Sequence, residues 1–286
     1  MTYSPSLRAA TSSSGTTSST SRRSFAEKEP GAGAFVAGGN TLSALRWDPP
    51  GTRVKAIWTG RAEGDRRLES CSDPASNLAS VPQRAWLRLR QVHGARVVVA
   101  GDALGAGDLR GGSCPDEGGA GRGAGDAIPI GDALVAAGVA TGLVVATADC
   151  APVALASREG IFAAVHAGWR GLLAGVVEEA VFAMRDLGAG EVVAGIGPCI
   201  HVECYGFGDR ELSEVVARFG PGVAGRTAGG AVALDLVQTA RAAIGAAGAT
   251  TAYDAGVCTA CSNSCFSHRA RNELERQVML VWGEGP

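Results

Sequence analysis

Two short segments of this 286-residue chain set chemically capable side chains at the ends of apolar runs: TADC at 147–150 and VHAGWRG at 165–171. Leu143-Val144-Val145-Ala146-Thr147 leads into Asp149 and Cys150, and Ile161-Phe162-Ala163-Ala164-Val165 leads into His166. If these two strands are neighbours, a thiol and an imidazole meet at one end of a sheet, where open α/β sheets keep their chemistry. The chain has 4 histidines, His93, His166, His201 and His268, and His93 sits in QVHG beside a glycine that permits a sharp turn. One cysteine and two histidines can hold zinc with the fourth position left to water, the open pattern of a catalytic site. Water held in that way ionises near neutral pH and becomes a nucleophile. Asp149, next to Cys150, could move protons for it. The same residues admit two other readings: ordinary strand-end side chains, or a cysteine hydrolase with Cys150 as nucleophile and His166 as base.

Arg170 stands at a glycine-rich turn before an amphipathic helix. Free backbone N–H groups and a guanidinium fork suit phosphate there, with a surface ion pair as the plainer alternative. Cys258, Cys261 and Cys265 form C-x-x-C-x-x-x-C. With a fourth ligand this could be a structural zinc or iron–sulfur site. No second C-x-x-C follows, so the three are expected to pack as thiols, as are Cys199 and Cys204 in GPCIHVECYGFG.

The elements that must position these groups can be read from periodicity. Val54–Trp58 is a plausible strand, Trp86 to Val92 alternates as a half-buried strand does, and Arg96 to Ala100 is a short strand. Asp132 to Val135 precede a strand at 143–147, and another follows at 161–165. From Leu172 to Leu187 one stripe carries Leu173, Val176, Val177, Ala180, Met184 and Leu187, which predicts a single amphipathic helix stopped by Gly188. Val192–Ile196 and Val278–Trp282 read as strands, and 209–219 and 234–247 as helices. The mixture predicts an α/β or α+β fold in one domain with mixed sheets flanked by helices. That domain spans 41–286, after a flexible tail at 1–40, and carries a Gly-rich insertion loop at about 101–126.

Composition narrows the function. An apolar share of 46% suits a globular chain, and a net charge of −2 with a pI near 6.1 gives no electrostatic reason to bind nucleic acid or membrane. No apolar run reaches the ~20 residues of a membrane span. The N-terminus has no hydrophobic core of a signal peptide, and residues 1–24, rich in Ser and Thr with arginines and no acids, resemble a transit peptide in composition but are read as a disordered tail or a misassigned start. A cytoplasmic location is therefore expected, with the 8 cysteines reduced or metal-bound. The 42 glycines, with abundant Ala and Arg, are read largely as codon bias.

RQVHGARVV (90–98), GDALV (131–135), TADCAPVAL (147–155), AAVHAGWRG (163–171), GIGPCI (195–200), CTAC (258–261) and FSHRA (266–270) stand in the order found in the laccase-domain family, which this chain resembles from about residue 54 to 282. Its members are also called multicopper polyphenol oxidase-like proteins, purine nucleoside phosphorylases of the laccase-domain type, or peptidoglycan editing factors. The resemblance implies one zinc held by His93, Cys150 and His166, and phosphorolysis of adenosine, inosine, guanosine or methylthioadenosine, with hydrolytic deamination of adenosine. It implies a nucleoside and phosphate as partners, which Arg61 and Arg170 are expected to hold. Asp149 is expected to supply a proton. The chain departs from the family at Ser267-His268-Arg269-Ala270, at Cys204-Tyr205-Gly206-Phe207, and at Arg61-Ala62-Glu63-Gly64-Asp65, departures that bear on substrate preference and the outer pocket and not on the metal triad. The older name suggests copper-dependent phenol oxidation. A multicopper cluster consumes more imidazoles than 4 histidines provide, while adventitious copper at the three ligands follows from its high affinity for such donors. A role in peptidoglycan precursor editing would suit the cysteine hydrolase alternative.

Overall fold

The computed structural model describes residues 44–67, 74–76, 78, 81–100 and 128–285. The expected tail and the Gly-rich insertion lie outside the described residues, as do Cys71 and Cys114. In chain order the elements are β1 (Leu45–Trp47), β2 (Val54–Trp58), β3 (Ala85–Leu87), β4 (Val97–Val99), β5 (Ala133–Ala137), β6 (Thr141–Thr147), β7 (Ala151–Ser157) and β8 (Ile161–Ala167). There follow α1 (Trp169–Ala174), α2 (Val176–Asp186), β9 (Val192–Ile196), α3 (Asp209–Phe219), β10 (Ala224–Arg226), β11 (Val232–Leu234), α4 (Leu236–Ala246), β12 (Thr250–Asp254), α5 (His268–Arg271) and β13 (Gln277–Gly283). They build a five-stranded sheet, β1-β2-β13-β6-β3, a six-stranded sheet, β12-β9-β7-β8-β5-β4, and a β10-β11 ribbon. Parallel and antiparallel pairs occur in both large sheets, so the mixed α/β expectation holds.

The layering follows from which faces are apolar. Trp58, Leu143, Val145 and Met279 of the five-stranded sheet pack with Leu134, Ala154, Phe162 and Ala164 of the six-stranded one. The other face of the six-stranded sheet, with Val135, Val153, Leu155 and Val165, is covered by Leu172, Val177, Met184, Val215 and Ile244 from the helices. Covered on both faces, β7 and β8 are buried along all seven residues; strands of this kind read as continuous apolar runs rather than alternating ones. Part of the glycine content has a packing purpose that codon bias does not supply. A Cβ at Gly195 would stand 2.6 Å from the Trp47 indole, so the ring lies flat on bare backbone.

Several sequence expectations need correction. The runs ending at Thr147 and Val165 are not neighbours, since β6 and β8 belong to different sheets. The thiol reaches the imidazole through β7, where Pro152 pairs with His166. Asp132 to Val135 do not merely precede a strand, because Ala133 opens β5. Trp86 to Val92 contracts to β3, with a lone bridge from Arg90 to Ile130. The helix from Leu172 to Leu187 is two helices broken at Gly175, which takes φ 93° and ψ 28°, a left-handed conformation open to glycine at little cost. Leu187 is exposed and Leu173 half-buried, while Leu172 and Val181 take core places. Gly188 does stop the helix, at φ 98°. β7 and β12 were not expected from the sequence: APVALAS carries no period, and a proline at the second position of a strand is a weak strand signal. Among the described residues no helix is long and apolar enough to cross a membrane.

Candidate metal centre

Two loops and a strand end meet at one end of the sheets. The first follows β3 and carries Gln91, Val92, His93 and Gly94. Both of its sides are pinned. Gln91 donates from Nε2 to the Ala146 carbonyl at 2.8 Å and accepts the Ala146 N–H at 2.9 Å, which ties the loop to the end of β6. From the other sheet Asp132, fully buried just before β5, accepts the N–H groups of Val92 at 3.1 Å, His93 at 2.8 Å and Gly94 at 2.7 Å. Held so, His93 adopts φ 61°, a left-handed conformation uncommon outside glycine and kept only where surroundings over-determine it.

The second loop is the β6–β7 turn, with Asp149 at φ 95° and Cys150 beside it. The third is the end of β8, where His166 is buried. One ligand atom each of His93, Cys150 and His166 lies within 4.8 Å of the other two. The His93 and His166 rings stand edge to face with centroids 4.8 Å apart. His166 Nδ1 faces Asp132 Oδ1 at 2.9 Å, which leaves Nε2 for the centre of the cluster. Such a carboxylate–imidazole pair fixes the ring and raises its basicity as a ligand. Gly168 completes the packing: a Cβ there would lie 3.0 Å from His93 Cδ2 and 3.1 Å from Cys150 Sγ.

The electrostatics favour a charged thiol. Burial pushes the Cys150 thiol up, but the His166 and His93 imidazoles more than offset this and hold it below the ordinary thiol range. Burial alone would lower His166; the Cys150 thiolate and the Asp132 carboxylate hold it above the ordinary imidazole range. Asp132 is pushed up by burial and brought below the usual carboxylate range by His166 and the N–H groups of Gly94 and His93. The residues fit a zinc-type ion: one soft thiolate, two imidazoles, and a partly exposed side at His93 through which a fourth group can enter.

The other expected residues take different places. Asp149 is spent on neighbours: its carboxylate accepts Thr259 Oγ1 at 2.7 Å, Ser267 Oγ at 2.7 Å and the Arg269 N–H at 2.7 Å. Arg61 pairs with Glu273 at 2.6 Å, donates to the Cys265 and Asn263 carbonyls, and lies over Phe266. Arg170 is exposed and lies over Trp169, 4.4 Å from the ring centroid. Around it stands an aromatic wall that sequence reading missed. Trp169 meets Phe207 edge to face at 5.2 Å, Phe207 meets Tyr205 at 5.3 Å, and Arg269 lies 4.9 Å over Tyr205. Burial pushes the Tyr205 phenol up to about 12; the Cys150 and Asp149 charges add to that shift, and the Arg269 and Arg170 guanidiniums oppose it. Asp132, within GDALV, was also missed as a site residue. An open groove of ≈ 670 Å³ between α3 and the β10–β11 ribbon shares no residue with the triad.

Residues 62–284 match the family described as multi-copper polyphenol oxidoreductase laccase. A Streptomyces coelicolor purine nucleoside phosphorylase is 36% identical over 212 residues, covering 73% of this chain and 78% of that one. A Streptomyces griseus purine nucleoside phosphorylase is 38% identical over 158 residues, covering 54% of this chain and 64% of that one, so the chain spans less than two thirds of this relative. The solved structure of YlmD from Geobacillus stearothermophilus is similar at a TM-score of 0.65 and 25% identity, over 83% of this chain and 94% of that one.

Proposed function

The chain belongs to the multi-copper polyphenol oxidoreductase laccase family, and from that premise we propose that it is a zinc-dependent purine nucleoside phosphorylase acting on adenosine, inosine, guanosine or methylthioadenosine, with adenosine deamination as a second activity. The observation that carries the reading is the convergence of His93, Cys150 and His166, with the outer nitrogen of His166 already committed to Asp132. The names of the Streptomyces relatives supply the substrate class. Zinc, when bound by these three residues, supplies a Lewis acid and a route to a nucleophile from water near neutral pH.

The chain's own residues do the rest. The purine packs against the Trp169–Phe207 pair. Arg170 and Arg269 hold phosphate; both guanidiniums lie over the aromatic wall. Arg61 is left to its pairing with Glu273. Phosphate attacks C1′ as the C1′–N bond breaks, the electron pair leaves with the purine, and a proton must reach that nitrogen. Tyr205 keeps its phenolic proton at neutral pH and is the neutral O–H donor beside the triad. Asp149 positions Ser267, Thr259 and Arg269 rather than moving protons. The free thiols among the described residues suit a reducing compartment, in keeping with a cytoplasmic location.

The test incubates metal-quantified protein with adenosine, with and without phosphate, and identifies products by mass. Adenine with ribose 1-phosphate only when phosphate is present is the expected result, and Cys150→Ala abolishes it. Undiminished phosphorolysis by Cys150→Ala overturns the assignment.

A second reading has one specific observation in its favour. Asp132, His166 and Cys150 form an acid–imidazole–thiol chain whose thiol is depressed and whose imidazole is raised, the layout of a cysteine hydrolase. It suits peptidoglycan precursor editing. A covalent acyl adduct on Cys150 after mixing metal-free protein with peptidoglycan fragments would favour it over phosphorolysis.

A further inference from the structure

We propose that a second, structural zinc is held by Cys204, Cys258, Cys261 and Glu203, a cluster that shares no residue with His93, Cys150 and His166. One ligand atom from each of the four lies within 4.8 Å of all the others. Donors about 2.3 Å from a tetrahedral zinc stand roughly 3.8 Å from one another, so the ligands need little movement. Cys204 Sγ and Cys261 Sγ are 3.2 Å apart, and Cys261 Sγ is 3.6 Å from Glu203 Oε1. A three-thiolate, one-carboxylate set selects a soft or borderline ion, and zinc is the common biological ion of that kind without redox chemistry.

The surroundings are those of a ligand shell. The His201 N–H donates to Cys258 Sγ at 3.4 Å, as backbone donors do toward bound thiolates. The His201 ring stands 3.9 Å behind Glu203 Oε1, and its buried Nε2 has no hydrogen-bond partner among the described residues. The backbone already brings the two ligand segments together. Cys199 bridges Cys258, Cys199 accepts the Thr259 N–H at 3.0 Å, and the Val202–Cys204 turn projects Cys204 and Glu203 toward Cys261. Cys199 and Cys265 are buried thiols outside the cluster, so the sequence motif C-x-x-C-x-x-x-C contributes two of its three cysteines and recruits Cys204 across the fold.

The ion would tie the 199–207 turn to the 257–265 loop. The first segment carries Tyr205 and Phe207. The second carries Thr259 and leads into Ser267 and Arg269, which grip Asp149. A closed site at this place therefore braces the aromatic wall and the turn that presents Cys150, without meeting substrate.

The test counts metal and needs no substrate. Zinc-loaded, desalted Cys150→Ala protein, prepared under reducing conditions, is expected to keep one zinc per chain where the unaltered chain keeps two. X-ray absorption at that remaining zinc reads three sulfur neighbours at about 2.3 Å, and adding Cys261→Ser removes it. Cys261 is exposed, so this substitution spares the core, and circular dichroism checks the fold. Titration of the unaltered chain with cobalt(II) gives an independent readout: two equivalents, one with thiolate charge-transfer bands about threefold stronger than the other. Folded Cys150→Ala protein that keeps no zinc overturns the proposal. So does zinc that survives Cys204→Ser with Cys261→Ser, or a Cys204–Cys261 disulfide in reduced, metal-treated protein.

Discussion

Replacing Asp132 by Asn tests how the triad is held. The carboxylate serves donors on both oxygens: Oδ1 faces the His93 N–H and His166 Nδ1, and Oδ2 takes the Gly94 N–H at 2.7 Å. Asparagine has the same shape but one acceptor oxygen. If that oxygen stays with His93 and His166, the new amide N–H₂ faces the Gly94 N–H, donor against donor, in a fully buried place. Leaving one buried donor unpaired costs about 1–3 kcal/mol, which lowers the melting temperature by roughly 2–12 °C for a domain of this size class. Loss of the negative charge also weakens His166 as a ligand. Removal of such an outer partner costs about 10–100-fold in metal affinity, or ~1.4–2.8 kcal/mol. Zinc competition against a chromophoric chelator and thermal melts with and without zinc measure both parts. The zinc-dependent rise in melting temperature should shrink along with the affinity. If folded Asp132→Asn binds zinc within a factor of two of the unaltered chain, Asp132 does not orient His166, and the reasoning from its hydrogen bonds fails.

Gly168→Ala places a Cβ 3.0 Å from His93 and 3.1 Å from Cys150, so zinc affinity should fall at least about tenfold, in the range of an outer-partner loss, with far-ultraviolet circular dichroism unchanged. Arg170→Met and Arg269→Met should each raise KM for phosphate about tenfold or more, one charge-assisted contact each, while KM for nucleoside moves little; initial-rate kinetics over phosphate concentration separates the two. In metal-free protein Cys150 should react with iodoacetamide at a rate that levels off below the pH of an ordinary thiol, because His166 and His93 hold its proton affinity down; a midpoint near 8.5 would contradict this. Glu273 is pushed up by burial but brought to about 2 by the Ser267 N–H, Arg61 and Arg271. A carboxylate with a depressed folded-state value stabilises fully above its ordinary 4.5 and loses that stabilisation as pH falls toward 2. Glu273→Gln should therefore melt lower than the unaltered chain at pH 7 and converge with it near pH 2.

His93, Cys150 and His166 were legible as candidates because the chain has only 4 histidines, and it was the family resemblance that implied a ligand set. The strands Val54–Trp58 and Val192–Ile196 fall where their β-branched and aromatic residues put them. Asp132, Tyr205 and Arg269 were not legible in the same way. Each acts through a contact more than thirty residues away, such as Asp132 to His93 and His166 or Arg269 to Gly206, and no period or spacing encodes such a contact. The break at Gly175 was hidden because apolar stripes run through both helices in nearly one phase. β7 was hidden because a strand covered on both faces by small residues has no alternation to show.

The arrangement also decides how the two enzymatic readings compete. Both need His166 on Cys150 and Asp132 on His166, so those contacts do not separate them. His93 does. A cysteine hydrolase has no use for a second imidazole across the thiol, least of all one fixed in a left-handed conformation by Gln91 and Asp132 together. Backbone strain of about 1–3 kcal/mol is kept where function requires the geometry; under the proposed zinc reading, that requirement is the closing of a ligand set. His93→Ala therefore divides the readings: metal binding and phosphorolysis fall together if the triad is a ligand set, whereas a thiol–imidazole hydrolase keeps most of its acylation rate. Acylation that survives His93→Ala, in protein that has lost zinc, would transfer Cys150 from ligand to nucleophile.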